Sequence, residues 1–248
     1  FVLPFRGQKL IALATVAVAI AIATVLFQTL TRNRILTPSI MGFDALYLLL
    51  QTSAIFFLGS VRWTALGSGT RYALEVGLMV GVSVALYLWL LVARDRGLHL
   101  LVLVGIVFGV LFRSFSGLMQ RLLDPTEFAV LQAASFASFN TFDTTLLLPT
   151  LVTVAVVLVL VTRSHAALDV LALGREPATA LGVAYRRSVV VLLVAVSALV
   201  AVSTALVGPV AFFGLLVANL AYTLAGSPFH RHVLPVAALL AVVMLVGG

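Results

Sequence analysis

Apolar runs close to the length of a membrane-spanning helix recur along the chain. A helix needs about 20 mostly apolar residues to cross a hydrocarbon core of ~30 Å. Runs approaching this length lie at 10–31, 44–60, 72–93, 98–118, 145–162, 188–207, 209–225 and 233–248. Strands of a transmembrane barrel would be about half as long and would alternate with polar residues, which these runs do not. The pattern predicts an all-α, polytopic membrane helix bundle of about eight transmembrane segments, some tilted or partly re-entrant.

The composition supports a membrane protein and excludes several other classes. Hydrophobic residues make up 62% of the 248 residues and charged residues 9%, too few polar groups to cover a soluble domain. The chain has no cysteine, which excludes disulfides, thiolate metal ligands and a thiol nucleophile. The net charge is +7, but the basic residues stand singly between apolar runs. We therefore expect a lipid membrane around the chain and no nucleic-acid partner.

The distribution of arginines predicts an orientation. Strict alternation of the runs places the links 32–43, 94–97, 163–187 and 226–232 on one side, and this side carries more arginines than the other. Cytoplasmic loops are enriched in Lys and Arg, so we predict that this side is cytoplasmic.

One link contains a pattern for a compact pair of short helices. The stretch Leu171–Val183, "LALGREPATALGV", lies between two long apolar runs. Gly174 suits the left-handed end of a first helix. Pro177 suits the first turn of a second helix, where Glu176 faces the positive helix end, and Gly182 can end that helix. Such a pair could dock into a groove on a partner protein or rest on lipid headgroups, and the pattern alone leaves both readings open.

This stretch resembles the cytoplasmic coupling segment of the permease subunits of type II ABC importers, the ferric-siderophore and vitamin B12 permease family. Two further stretches resemble family segments in the same order: Phe27–Gln51, "FQTLTRNRILTPSIMGFDALYLLLQ", and Gly208–Tyr222, "GPVAFFGLLVANLAY". The chain departs from the family pattern where Asn33-Arg34 replaces Asn-Pro. It also lacks the family's Pro-His segment at 218–222.

The resemblance implies roles for two sets of residues. The ATPase-coupling set is Leu171, Leu173, Gly174, Arg175, Glu176, Pro177, Ala178, Leu181 and Gly182. The translocation path or the central helices would contain Gln28, Asn33, Arg34, Pro38, Ser39, Gly42, Gln51, Gly208, Pro209, Phe212, Gly214 and Asn219. For each member of the second set, a hydrogen bond that only holds the bundle together is the competing interpretation.

The resemblance also implies an organisation and an activity. Residues 1–248 would form a single transmembrane permease domain with both termini truncated, since the family has about ten transmembrane helices. Residues 163–187 would be the cytoplasmic coupling segment within it. The chain would be a non-enzymatic subunit of an ATP-driven importer of ferric siderophores in the cytoplasmic (inner) membrane of a bacterium. Its partners would be ABC ATPase subunits, a second permease chain, giving a heterodimer, and an extracytoplasmic substrate-binding protein.

We expect no cofactor bound by this chain. A phosphate-binding loop needs Gly-x-x-x-x-Gly-Lys-(Ser/Thr), and the sole lysine, Lys9, follows Gln8, so ATP and Mg²⁺ would bind the partner ATPase subunits. The same family importing cobalamin or haem is one alternative. An ion-coupled secondary transporter is another, although carboxylates in the middle of the runs are nearly absent. A membrane scaffold without cargo is a third.

Side-chain pairs give three further expectations. His230-x-His232 could bind a metal, but without a nearby cysteine or carboxylate we expect an interfacial basic cluster and no metal site. Arg71 and Glu75 have the spacing of an intrahelical ion pair. The Gly-xxx-Gly pairs at 77/81 and 105/109 predict close helix packing.

Overall fold

The chain is entirely helical in the part that the structure describes. The computed structural model describes residues 2–93, 98–139 and 142–247, and this part contains no β-strand. The all-α prediction is therefore confirmed. Arg94 and Arg96, which contribute to the predicted orientation, lie outside the described residues.

Twelve α-helices follow one another along the described residues. They are α1 (Val2–Thr31), α2 (Phe43–Leu58), α3 (Ser60–Ala65), α4 (Ser68–Ala93), α5 (Leu98–Gln120), α6 (Pro125–Ala134), α7 (Leu147–Arg163), α8 (His165–Leu171), α9 (Arg175–Ala180), α10 (Tyr185–Val207), α11 (Phe213–Ala225) and α12 (His230–Gly247). Two short 3₁₀ helices, Pro38–Met41 and Thr144–Leu146, precede α2 and α7.

Six described segments are long and apolar enough to cross a membrane. They are Gly7–Thr31, Ser68–Trp89, Val102–Gln120, Thr144–Arg163, Tyr185–Val207 and His230–Gly247. The two other predicted runs form α2 and α11, which have only 16 and 13 residues. At 1.5 Å per residue these helices are about 24 and 20 Å long, shorter than a hydrocarbon core of ~30 Å. Irregular segments of the chain precede both helices.

The centre of the bundle is formed by α1 and α10. Alanines at positions 17, 19, 21 and 23 of α1 are all fully buried, so this helix is covered on every side. It packs against α7, α10, α11 and α12, while α10 also packs against α4. A helix that is hydrophobic all round and surrounded by others is the expected arrangement for the core of a bundle.

Small residues allow one very close helix contact. Gly42 lies against Gly109 of α5, and a Cβ on Gly42 would be 2.7 Å from the Cα of Gly109. Gly105, one turn away, lies against the side chain of Met41. The packing prediction is thus confirmed for Gly105 and Gly109. A Cβ on Gly77 or Gly81 would meet no atom within 4 Å, so the prediction is wrong for this pair within the chain itself.

Long-range contacts define two ends of the bundle. At one end, called here the coupling end, Arg32 lies against Gly174 and His230 bonds to Asp169. Three of the links predicted to share a side therefore meet there. At the opposite end, called the far end, Gly208 lies against the backbone at Phe136.

Candidate coupling segment and translocation path

Within the coupling segment, 163–187, residues 165–182 form a helix–turn–helix at the coupling end, so the predicted pair of short helices is present. The predicted left-handed helix end at Gly174 is wrong, because α8 ends at Leu171 with Ala172 after it, and Gly174, at φ +109°, immediately precedes α9 at Arg175. A residue with a Cβ is strained at this φ. A Cβ would also lie 2.7 Å from Nη1 of Arg32, but this atom ends a flexible, exposed side chain that can shift. The turn therefore needs glycine for its backbone conformation.

The end of α9 has a defined hydrogen-bond pattern. The N–H of Val183 donates to the carbonyl of Ala178 at 2.9 Å, and that of Gly182 donates to Thr179 at 3.0 Å. Gly182 has φ +81°. This is a Schellman motif, which satisfies carbonyl groups left free at a helix end. The predicted helix stop at Gly182 is confirmed.

The coupling segment has one buried side and one exposed side. Leu168, Leu171 and Ala178 face the bundle and are at most 4% exposed. Leu173 and Leu181 are 59% and 64% exposed, and Arg175, Glu176, Pro177 and Gly182 are also exposed. Apolar side chains held outward by a fixed turn form a surface that a protein groove can bind. The structure thus leaves one side of the coupling segment exposed, while Leu171, Gly174 and Ala178 of the predicted set are buried, and the role of the set in ATPase contact stays a prediction.

Three residues of the predicted translocation set meet at one carbonyl group. Nε2 of Gln28 donates to the carbonyl of Arg34 at 2.7 Å, and Nδ2 of Asn219 donates to the same carbonyl at 3.2 Å. The guanidinium of Arg34 lies 4.2 Å from the ring centre of Tyr222, a cation–π distance. These contacts join α1 and α11 through the turn between α1 and α2, close to the coupling segment.

The same turn is stabilised locally. Oδ1 of Asn33 accepts a hydrogen bond from the N–H of Ile35 at 2.9 Å, which is an Asx turn. The side chains of Gln28, Asn33 and Asn219 therefore all support the backbone of this turn.

The 3₁₀ helix Pro38–Met41 before α2 and the irregular segment before α11 meet beside one cavity. Pro38 and Ser39 from the 3₁₀ helix lie beside a cavity of about 20 Å³ with Val210 and Ala211 from the irregular segment. Thr24 of α1 and Asp44 of α2 also line it. A cavity of this size holds about one water molecule, so this cavity is too small to hold a bulky chelate.

The remaining members of the translocation set lie apart from one another. Gly208 ends α10 at φ +92°, and Pro209 is partly exposed beside it. Gly214 packs against Thr24 of α1, whereas Phe212 is 76% exposed. The structure does not bring this set together as one site within the chain.

Gln51 belongs to a different cluster. It is 5% exposed, donates to Oε1 of Glu75 at 2.8 Å and accepts from the indole N–H of Trp63 at 3.2 Å. The charge of Arg71 acts on Glu75, as the predicted pair requires, but the hydrogen bond that Glu75 accepts comes from the Gln51 amide of α2. Nε of Arg71 has no hydrogen-bond partner.

This cluster borders the largest of the described cavities, about 260 Å³, at the far end. Asp143 lies at its rim, outside the membrane-spanning segments. Hydrogen bonds from the Ser68 hydroxyl and from the backbone and side chain of Thr145 hold the pKa of Asp143 below its ordinary value.

One cluster was missed by sequence reasoning. His230 is 2% exposed, and its ring contacts both Asp169 and Thr29, so the interfacial basic cluster expected here is wrong for His230, although His232 is exposed. Asp169 and His230 are 61 positions apart, and no local pattern relates them. Among the described residues, no group of three or more His, Cys, Asp or Glu side chains could hold a metal ion.

Comparison with known proteins identifies the family. The family model described as the FecCD transport family matches residues 1–248. The petrobactin import system permease protein YclO of Bacillus subtilis is 43% identical over 248 residues, which are 100% of this chain and 79% of that protein. The petrobactin import system permease protein FatC of Bacillus anthracis is 40% identical over 235 residues, 94% of this chain and 66% of that protein.

A solved structure shares the fold. It is an inward-facing conformation of a metal-chelate type ABC transporter, with a TM-score of 0.85 and 22% identity, covering 97% of this chain and 75% of that one. With its six span-length helices, the chain is a multi-pass membrane protein. The full-length family match and the two petrobactin permease relatives show that the chain belongs to the FecCD transport family.

Proposed function

We propose that the chain is the permease subunit of an ATP-driven importer that moves a ferric siderophore across the cytoplasmic membrane of a bacterium. The observation that carries the proposal is the 43% identity to a petrobactin import permease over all 248 residues. Petrobactin, or a siderophore of similar chemistry, is the proposed cargo.

The exposed side of the coupling segment is the proposed contact with the ATPase subunits. The two helices of the segment are joined by backbone hydrogen bonds at the turn, from Gly174 N–H to the carbonyl of Leu171 and from Ala178 N–H to the carbonyl of Gly174, so the segment can move as one unit. ATP and Mg²⁺ would bind the partner subunits, because the chain has no phosphate-binding loop. Leu173 and Leu181 supply the apolar part of the contact and Glu176 a charge beside it.

A second permease chain would complete the translocation path. The polar cavity before α2 and α11 is too small to hold a bulky chelate, so bulky chelates need a path between two chains. The apolar helix α5 is mostly uncovered, with Val107, Val110 and Leu118 more than half exposed. On α4, Gly77 and Gly81 face open space and would allow the close approach of another helix. An extracytoplasmic binding protein would deliver the chelate at the far end.

One observation favours a second candidate, an ion-coupled carrier. The short helices α2 and α11 follow a 3₁₀ helix and an irregular segment that meet at a polar cavity beside Asp44, an arrangement that secondary transporters use for ion sites. This candidate predicts uptake driven by an ion gradient without ATP.

Uptake in proteoliposomes separates the two candidates. The full-length protein is reconstituted with its ATPase subunits, second permease and binding protein, and ⁵⁵Fe-petrobactin is added outside. The proposal predicts uptake that needs ATP inside and survives the removal of ion gradients. Uptake driven by a gradient alone refutes it. Cyanocobalamin and haem are tested in parallel, and transport of either one instead of ferric petrobactin assigns the alternative cargo.

Matched variants test the coupling surface. Leu181→Glu and Glu176→Arg change exposed side chains of the coupling segment and are expected to abolish binding of the ATPase subunits without unfolding the bundle. Leu122→Glu is the control, because Leu122 is 68% exposed after α5, at the opposite end. ATPase binding that tolerates the first two changes as well as the third contradicts the assigned surface.

A further inference from the structure

A hydrogen-bonded cluster joins the coupling segment to the start of α12. Oδ1 of Asp169, on α8, accepts a hydrogen bond from the backbone N–H of His230 at 2.8 Å. The same oxygen lies 2.5 Å from Nδ1 of the His230 ring. One carboxylate oxygen therefore caps the first residue of α12 and fixes the orientation of its imidazole.

The other ring nitrogen extends the cluster to α1. Nε2 of His230 is 2.6 Å from Oγ1 of Thr29, and the hydroxyl of Thr29 donates to the carbonyl of Val25 at 2.8 Å. Thr29 is 4% exposed and His230 is 2% exposed. The imidazole is thus held at both nitrogens, by buried Thr29 on one side and by Asp169, whose side chain is 23% exposed, on the other. The bond on the Thr29 side lies away from water, where hydrogen bonds are stronger.

The cluster provides what the apolar contacts of α8 cannot. α8 also packs on α1, α7 and α12 through buried side chains such as Leu168 and Leu171. Apolar contacts are non-directional, so they hold α8 on the bundle but allow it to slide or rotate. The bonds through His230 are directional and short, so α8 cannot shift relative to α12 or α1 without breaking them.

We propose that His230 is the positioning residue through which movement of the coupling segment reaches the transmembrane helices α12 and α1. Asp169 carries the movement to the imidazole, and Thr29 receives it on the central helix of the bundle. This inference rests on the proposed function, since it concerns how ATP-driven movement becomes transport. Without the cluster, the ATPase subunits still bind the coupling segment and hydrolyse ATP, but α12 and α1 no longer move with the segment.

The test measures ATP hydrolysis and uptake of ⁵⁵Fe-petrobactin in the same reconstituted complexes. His230→Leu removes both links, and Thr29→Val removes the link to α1 with little change of shape, together with the Thr29 contact to Tyr222 that Tyr222→Phe removes on its own as a control. Both variants are expected to keep assembly and ATP hydrolysis while the ATP consumed per chelate rises about tenfold. His232→Leu is the matched control, because His232 is exposed two residues away, and it should leave the ratio unchanged.

A conservative pair distinguishes positioning from a general need for the side chain. Asp169→Asn keeps an oxygen that can accept both hydrogen bonds. We therefore expect the ATP consumed per chelate to stay near the value of the native chain. Asp169→Ala lacks the acceptor and is expected to behave like His230→Leu. The inference is overturned if His230→Leu consumes as much ATP per chelate as the native chain. It is also overturned if ATP hydrolysis and chelate uptake fall together in this variant.

A distance measurement tests the joint independently of transport. The chain has no cysteine, so a spin-label pair can be introduced at Ala172, beside α8, and at Leu239 on α12, both exposed. The distribution of distances is expected to be narrow in the otherwise native chain and broad in His230→Leu. If the distribution of distances in His230→Leu is as narrow as in the native chain, the inference that His230 holds α8 to α12 is refuted. Failure of ATP-driven uptake in the native complex refutes the proposed function alone, because the distance measurement needs only the permease.

Discussion

Replacing Gly42 with alanine tests the closest backbone approach in the bundle. Gly42 has φ +91°, and an added Cβ would lie 2.7 Å from the Cα and 3.0 Å from the N of Gly109. Both atoms belong to the backbone of α5, so neither can move aside as the end of a flexible side chain could.

The expected cost has two parts. The left-handed conformation costs a residue with a Cβ about 1–2 kcal/mol. Forcing a methyl group into a packed interface costs roughly 1–3 kcal/mol more, because α2 and α5 must separate. We expect Gly42→Ala to lower the free energy of unfolding by about 2–5 kcal/mol.

Unfolding in mixed micelles, followed by circular dichroism as the SDS fraction rises, measures this difference. Gly117→Ala is the control, because Gly117 lies on α5 as well but a Cβ there would meet nothing within 4 Å. We expect the control to change the unfolding free energy by no more than about 1 kcal/mol. If Gly42→Ala changes the free energy of unfolding by no more than Gly117→Ala does, the argument from close approach is refuted.

Three further changes give measurable results. Gln51→Leu leaves buried Glu75 without its donor, and we expect a loss of about 1–3 kcal/mol in the same unfolding assay. Tyr222→Leu removes the aromatic ring under Arg34 and should cost about 0.5–2 kcal/mol, whereas Tyr222→Phe keeps the ring and most of that energy. The lowered pKa of Asp143 stabilises the folded chain above the unfolded pKa, and this stabilisation disappears as the pH falls through the folded pKa. Melting temperatures should therefore drop below about pH 4 in the native chain, and by less in Asp143→Asn.

The features that the sequence predicted are those with local causes. A long apolar run must form a helix in a membrane, because every backbone group needs a partner within the segment. The Schellman motif at Gly182 depends on residues within a few positions of each other. The helix–turn–helix and its end at Gly182 were therefore predicted from "LALGREPATALGV", whereas α8 ends at Leu171 and not at Gly174.

The features that the sequence did not predict depend on distant partners. The spacing of Arg71 and Glu75 correctly placed both charges on one helix, but Gln51 on α2 gave Glu75 its actual donor. His230 looked like a surface residue because Asp169, 61 positions away, is its partner. The periodicity of apolar residues also does not show at which depth in the membrane a short helix begins. For α2 and α11 this depth depends on contacts with other helices.

The shared carbonyl of Arg34 makes the turn after α1 a junction between α1 and α11. A carbonyl oxygen has two lone pairs, and here the amides of Gln28 and Asn219 occupy both. If α11 separates from α1, one of these bonds must break while the other holds. The turn is continuous with α1, so the bond from Gln28 stays and the bond from Asn219 is the one that breaks. Separation of the two helices here frees one lone pair of the Arg34 carbonyl, which water can then occupy.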